Sequence, residues 1–154
     1  MFLKGVGMTK KELGISFFKQ GYNCAQAVVL AFADEIGIDE NSAVKLISGF
    51  GGGFGRMREV CGAVSGMVAV LSYKEGYVDP TDNVTKMALY TKIQNLMNKF
   101  KNENGSYICG ELLSLPDGAS SSIPEARTTE YYKKRPCAEL VGSACEILQN
   151  YFNN

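Results

Sequence analysis

Helical periodicity dominates this sequence, and strand-like alternation is nearly absent. The clearest segment follows Asp79 to Asp82, which form a typical helix start. Its apolar residues recur at close to 3.6 positions, at Val84, Met87, Leu89, Tyr90, Ile93, Leu96, Met97 and Phe100. Because an apolar helix stripe needs a facing stripe to cover it, the pattern predicts an all-α bundle of about five to seven helices, with residues 1–154 as one domain.

Start and stop signals divide the chain into helices. Thr9 and Glu12 have the form of a capping box before a first helix that ends near Gly21, and Asn23 caps a second helix that Gly37 ends. Further helices are predicted as SAVKLIS after Asp39 or Asn41, the segment VCGAVSGMVAVLSYKEG, YICGELLSL after Ser106, and a last helix that Pro136 opens. The segment PDGASSSIP is predicted to be a surface loop.

Composition and charge exclude several classes of protein. The 154 residues are 45% hydrophobic and 21% charged, which excludes wholesale disorder, and no apolar run is long enough to span a membrane. Sixteen basic and sixteen acidic residues cancel, so we expect no nucleic acid partner and no membrane insertion. The first residues lack the apolar core of a secretory signal, and we therefore expect a cytoplasmic protein.

Cysteine is the residue type that carries the functional signal. The chain has five cysteines and no histidine, so neither catalysis nor metal binding can use imidazole. A reducing cytosol disfavours permanent disulfides, which raises the weight of redox or metal chemistry. No CxxC pair occurs, which excludes the local thioredoxin-type pair, the zinc knuckle and the ferredoxin ligand run.

Four of the cysteines fall at predicted helix starts, namely Cys24, Cys61, Cys109 and Cys137. A helix N-terminus carries about half a positive charge, which stabilises a thiolate and lowers the cysteine pKa. A single cysteine near a helix start is more often a packing residue, but four in similar settings favour a gathered site. For Cys145, within the last helix and on its apolar face, packing is the better interpretation.

The segment GFGGGFGRMRE contains five glycines among eleven residues and is predicted to be the main irregular loop. A phosphate nest is a weak alternative, because the loop lacks the GK[ST] ending and follows no predicted strand. We expect it to shape a pocket at Cys61. In the next helix, Gly62 and Gly66 leave one side without bulk, which suits either close helix packing or a flat cofactor.

The segment CGAVSG, preceded by GFGGGFG and accompanied by single cysteines in NCAQAV, at Cys109 and at Cys137, resembles the C_GCAxxG_C_C family of redox-active proteins with a GCAxxG-type motif. The resemblance covers nearly the whole chain. It implies four shared cysteines, which fall here on Cys24, Cys61, Cys109 and Cys137, with Cys145 as an extra. It also implies a functional link to transporters, but no substrate and no electron partner.

Three functions fit these observations. The four cysteines form a catalytic thiol set with Cys61 at its centre, which cycles between thiol and disulfide or ligates a redox cluster such as iron-sulfur, as in a thiol-dependent oxidoreductase. Alternatively, the same four thiolates hold zinc or another soft metal in a sensing module without catalysis. In the third interpretation the cysteines only pack, and the bundle is an interaction domain. Sequence spacing leaves these three open.

Overall fold

Burial of apolar helix faces organises residues 7–154, the part of the chain that the computed structural model describes. In chain order these residues form α1 (Lys10–Lys19), α2 (Cys24–Ile36), α3 (Glu40–Leu46), α4 (Gly51–Phe54), α5 (Gly62–Glu75), α6 (Asn83–Asn104), α7 (Cys109–Leu112), α8 (Thr129–Lys134) and α9 (Cys137–Phe152), with a 3-10 turn at Ser48–Phe50. The predicted all-α fold class is confirmed. Among these helices, α1, α2, α5, α6 and α9 have ten or more residues and form the body of the bundle.

Helix α2 lies at the centre of the bundle. Every residue from Ala27 to Ala33 is buried, because α1, α5 and α9 all pack against it. A helix that is apolar on all sides is stable only where neighbours cover every face. Helix α6 packs against α5 and α9 through Leu89, Leu96 and Phe100. The predicted α6 stripe is therefore only partly buried, and Val84, Met87 and Tyr90 are exposed.

The predicted caps at the start of the chain are confirmed. The Thr9 side chain accepts a hydrogen bond from the Glu12 amide at the start of α1. At the start of α2, Asn23 and Gln26 form a reciprocal capping box, and Gly37 ends the helix in the left-handed conformation. These bonds satisfy backbone groups that have no partner inside a helix. They also fix the position of the first turn of α2, which carries Cys24.

Two segments near the C-terminal half differ from the sequence prediction. The predicted helix YICGELLSL is reduced to the single turn of α7, and Ser114 just beyond it has a positive φ of 55°. Conversely, the basic segment before Pro136 contains α8, which Thr128 caps by accepting from the Tyr131 amide. The sequence signal for α8 is the Thr128 cap followed by TEYYKK, and the sequence analysis did not predict this helix.

The glycine loop is irregular, as predicted, and backbone hydrogen bonds within the loop make it compact. Positive φ values occur at Gly52, Gly53 and Phe54, so α4 is not a regular helix, and also at Gly55, Arg56 and Arg58. Amides bond back to carbonyls six residues earlier, as from Arg58 to Gly52 at 3.1 Å. Because left-handed backbone is costly for residues with a Cβ, the three glycines lower the strain of this segment, although Phe54, Arg56 and Arg58 share the conformation. The loop lies against the first turn of α5.

Close packing of α5 on α2 accounts for the small residues of the CGAVSG motif. A Cβ on Gly66 would lie 2.8 Å from the Ala25 carbonyl oxygen and 2.9 Å from the Val28 Cβ. A Cβ on Gly62 would lie 3.0 Å from the Phe50 carbonyl oxygen and 3.1 Å from the Cys24 Cβ. Glycine at these two positions therefore lets the two helix starts, and the thiols they carry, approach one another.

Within residues 7–154 no helix is both long and apolar enough to cross a membrane. The prediction about a secretory signal rests in part on residues 1–6, which lie outside the described residues.

Candidate functional site

A cavity of about 280 Å³ lies where the starts of α2, α5, α7 and α9 meet. Its wall contains Cys24, Cys61, Cys109 and Cys137, the four cysteines that the sequence analysis singled out. Cys145 is absent from this wall and is fully buried between α9 and Gly14 of α1. The fold thus gathers on one cavity four thiols that are dispersed along the chain.

Each of the four thiols stands at a helix start. Cys24, Cys109 and Cys137 are the first residues of α2, α7 and α9, and Cys61 is the residue immediately before α5. The predicted cap Asn23 precedes Cys24 as expected, but the helix with Cys109 begins after Ile108 and not after the predicted cap Ser106. The sequence predicted Pro136 as the first residue of the last helix. In the structure α9 begins at Cys137, and Pro136 is its N-cap residue.

A short antiparallel pairing between residues 58–61 and 107–110 positions two of the thiols. Val60 bridges Ile108, the Cys61 amide donates to the Tyr107 carbonyl at 2.8 Å, and the Cys109 amide donates to the Glu59 carbonyl at 2.6 Å. These bonds hold the end of the glycine loop against the start of α7. They also place Arg58 beside Cys109, where the Arg58 Nη1 lies 3.6 Å from the Cys109 Sγ.

Cys24 and Cys137 are the two thiols of the site that shift each other's pKa most strongly. The Cys24 thiol donates a hydrogen bond to the Cys137 sulfur, and the Tyr131 hydroxyl donates a second one. The two cysteines come from α2 and α9, which are far apart in sequence but pack against each other in the bundle. No disulfide joins any of the five cysteines, so this pair is present as two thiols.

The pKa of Cys137 is lowered to about 7. The hydrogen bond from Cys24 is the main cause, the Tyr131 hydroxyl adds to it, and the positive charges of Arg135 and Arg127 act in the same direction. Burial opposes these effects but does not outweigh them. The same hydrogen bond raises the pKa of Cys24 well above its usual value, together with burial. At pH 7 about half of the Cys137 side chains are therefore thiolates, whereas Cys24 stays protonated.

The other thiols do not follow the expectation that a helix start lowers a cysteine pKa. Burial raises the pKa of Cys61 to about 12, although the amides of Ala63 and Val64 favour its thiolate. Burial also raises the pKa of Cys109, against the opposing charge of Arg58. Removal from water disfavours the charged form more strongly than the end of a helix stabilises it. The thiolate form is thus concentrated at Cys137.

Alkylation of Cys137 is expected to rise steeply through about pH 7, where its thiolate forms. An ordinary cysteine reaches half-ionisation only at about pH 8.5, so Cys137 is the first thiol to react as the pH rises from acid. Cys24→Ala removes the hydrogen bond to the Cys137 sulfur and is expected to move this midpoint upward. Initial iodoacetamide rates per cysteine, followed by peptide mass spectrometry across pH, measure both midpoints. An unchanged midpoint in Cys24→Ala would contradict the assigned cause.

Arginine and tyrosine side chains complete the wall of the cavity. The wall includes Tyr131 and four arginines, namely Arg56, Arg58, Arg127 and Arg135. Among the described lining residues, Glu125 is the one carboxylate. The sequence analysis assigned none of these residues a role. For Tyr131 and Arg135 the available signal is their position shortly before the Pro136–Cys137 helix start.

Arg127 fixes the segment that carries Tyr131. Its Nη1 and Nη2 donate to the Phe18 carbonyl at 2.9 Å and the Tyr22 carbonyl at 3.0 Å, and its guanidinium lies 4.1 Å from the centre of the Phe18 ring. These contacts tie the connection between α7 and α8 to the end of α1. Because Arg127 itself lines the cavity, these contacts fix part of the cavity wall.

The four thiols do not form a ready metal site in this arrangement. Within residues 7–154, no three cysteine, aspartate or glutamate side chains lie close enough together to hold one metal ion. A four-thiolate zinc site needs all four sulfurs at about 2.3 Å from the ion. Metal ligation by Cys24, Cys61, Cys109 and Cys137 therefore stays a prediction from the sequence. Of the two glycines expected near a cofactor, Gly62 lines the cavity, and the space beside Gly66 is filled by α2.

The fold and the site together define an all-α protein that presents four thiols to one cavity. The family described as "Putative redox-active protein (C_GCAxxG_C_C)" matches residues 22–151, and the chain belongs to this family. A protein of Archaeoglobus fulgidus, described as "Uncharacterized protein", is 27% identical over 146 residues, which cover 89% of each chain. No solved structure matches this sequence. The family places the chain among redox-active proteins and gives no substrate.

Proposed function

We propose that this protein is a dithiol–disulfide redox protein in which Cys24 and Cys137 form a reversible disulfide. The contact between these two thiols carries the proposal. A disulfide needs its sulfurs at about 2.05 Å, so the two side chains must move closer together from the hydrogen bond through which they shift each other's pKa. Disulfide exchange also needs an attacking sulfur and a resolving thiol within reach of each other, and this pair supplies both.

Cys61 and Cys109 have a supporting role in this proposal. Both line the same cavity as the Cys24–Cys137 pair, and both are kept protonated by burial, since it raises their pKa values. A second disulfide between them is not part of the proposal. The proposal takes residues 1–154 as one domain, since α1 and α9 share one core, and places it in the cytoplasm, where thiols stay reduced.

Disulfide mapping tests the proposal directly. Protein reduced and purified without oxygen is treated with a stoichiometric thiol oxidant, digested, and analysed by mass spectrometry. We expect one disulfide, between Cys24 and Cys137, which a dithiol reductant reverses completely. A first-formed disulfide that involves Cys61 or Cys109, or the absence of any reversible disulfide, would refute the assignment.

A bound metal is the second candidate, because four thiols on one cavity wall are a sufficient number of ligands for zinc or an iron-sulfur cluster. The thiols would have to move closer together than they lie here. Elemental analysis and an absorption spectrum of anaerobically purified protein separate the two candidates. Metal near one equivalent per chain, which protects all four thiols from alkylation, would favour this second function.

A further inference from the structure

The cavity beside the thiol pair carries an excess of positive charge that disulfide exchange alone does not require. Four arginines line it, against the one carboxylate of Glu125, and among the described lining residues there is no lysine or aspartate. Guanidinium groups present several donors in a fixed plane that matches carboxylates and similar anions. Such a cluster around a concave surface indicates an anionic ligand.

Part of this charge has no partner within the protein. Arg135 is paired with Glu125 at 2.8 Å, and Arg58 donates its Nε to the Ser120 hydroxyl at 2.9 Å. Arg56 donates its Nη1 to the Ile123 carbonyl, but its Nε is buried and has no hydrogen-bond partner. Because an unpaired buried donor is costly, it points to a ligand atom that accepts from it.

The rest of the wall is apolar. Phe18, Leu112, Leu113 and Leu140 line the same cavity as the arginines and thiols. An inorganic oxyanion would leave these surfaces without contact, whereas an organic anion matches both the carbon surface and the guanidinium groups. The volume of about 280 Å³ lies near the lower end of the range for small-molecule pockets, and this excludes a large ligand.

We infer that the cavity selects a small organic disulfide that carries carboxylate groups as the substrate of the Cys24–Cys137 pair. The inference rests on the proposed function and adds the substrate class. The carboxylates contact the arginines, the carbon chain lies on the leucine and phenylalanine surface, and the S–S bond lies against the thiols. Recognition thus depends on charge as well as on the disulfide.

The reaction balances without a further reactant. The Cys137 sulfur, as its thiolate, attacks one sulfur of the substrate, so that a mixed disulfide forms, the substrate S–S bond breaks and one substrate thiolate leaves and takes up a proton. The Cys24 thiol then loses its proton, and its sulfur attacks the Cys137 sulfur and releases the second substrate thiol. Two protein thiols lose two electrons in total, and one substrate disulfide gains them.

Three small disulfides that differ in charge test the inference. Reduced protein is mixed in single turnover with dithiodipropionate, which carries two carboxylates, with neutral hydroxyethyl disulfide, or with cystamine, which carries two ammonium groups. Each rate is divided by the rate of the same disulfide with dithiothreitol, which removes differences in intrinsic reactivity. We expect the corrected rate for dithiodipropionate to exceed that for cystamine by about tenfold or more, and added salt to reduce this preference.

Arg56→Gln is the matched variant, with Lys134→Gln as its control for net charge. Lys134 is exposed and lies outside the cavity wall, so its replacement changes the charge of the chain equally without touching the site. We expect Arg56→Gln to reduce the preference for dithiodipropionate severalfold and Lys134→Gln to leave it unchanged. The salt dependence of the unaltered protein provides the same test without any substitution.

Suberate, which replaces the S–S unit of dithiodipropionate by two methylene groups, separates the two proposals. It is expected to bind the reduced protein in a calorimetric titration and to slow the reaction with dithiodipropionate. Equal corrected rates for the three disulfides, together with no suberate binding, would overturn the substrate class and leave the redox pair standing. If no disulfide is reduced and no Cys24–Cys137 bond forms with a general thiol oxidant, both proposals fail.

Discussion

Cys137→Ser is expected to abolish disulfide exchange, with a rate lower by about a hundredfold or more, because a serine hydroxyl is not ionised near neutral pH and cannot replace a thiolate. Cys24→Ser is expected to behave differently. It keeps the attacking sulfur but removes the resolving thiol, so the protein stops at the mixed disulfide between Cys137 and the substrate. Intact-protein mass spectrometry after one turnover distinguishes the unmodified Cys137→Ser from the Cys24→Ser adduct.

The matched control is Cys145→Ala, on the same helix as Cys137 but outside the cavity wall. We expect it to keep full exchange activity and to lose some stability, because it removes a buried sulfur from the core. Cys61→Ser decides the remaining alternative. If Cys61→Ser loses exchange and Cys137→Ser keeps it, Cys61 is the attacking thiol, as its position at the centre of the sequence motif suggested.

Gly53→Ala is expected to destabilise the protein by about 3 to 5 kcal/mol, the sum of left-handed backbone strain and overpacking. Gly53 has a φ of 70°, and a Cβ there would lie 2.5 Å from the Glu59 amide nitrogen and 2.8 Å from the Cys109 Cβ. The three nearest atoms are the Glu59 nitrogen, the Arg58 carbonyl carbon and the Cys109 Cβ, and none of them is the end of a flexible side chain that could move away at low cost. Urea unfolding followed by circular dichroism measures the loss.

Gly55→Ala separates the two contributions to that loss. Gly55 also has a positive φ, of 57°, but a Cβ there would have no neighbour within 4 Å. We expect it to cost about 1 kcal/mol, from the left-handed conformation alone. Equal losses for the two variants would mean that the contact of Gly53 with the Cys109 segment contributes nothing, contrary to the packing described above.

Local sequence signals predicted most of the fold. Caps at Thr9 and Asn23, the stop at Gly37 and the apolar stripe of α6 each depend on residues within one or two turns, so they can be interpreted without tertiary information. The length of α7 could not be predicted in this way. Its helix-like sequence is overridden by the pairing of residues 107–110 with the end of the glycine loop, a contact between distant segments.

The sequence indicated which cysteines line the cavity, but it did not indicate how their pKa values differ. Helix-start positions identified Cys24, Cys61, Cys109 and Cys137, because the ends of packed helices tend to converge. The pKa differences among them depend on burial and on partners from other helices, such as Tyr131 beside Cys137, and no sequence pattern contains this information. The role of Arg127 could not be predicted either, because its contacts with the Phe18 and Tyr22 carbonyls join residues more than a hundred positions apart.

The two cysteines of α9 allow local opening of the site to be distinguished from unfolding of the whole bundle. Cys137 lines a cavity, whereas Cys145, two turns further along the same helix, is fully buried between α9 and α1. A reagent reaches Cys137 when the site alone fluctuates, but it reaches Cys145 only when the core separates. Burial also raises the pKa of Cys145 to about 12, so it stays protonated while the fold is intact. The ratio of labelling at the two positions therefore reports, in one unmodified chain, whether a ligand or variant loosens the site or the whole bundle.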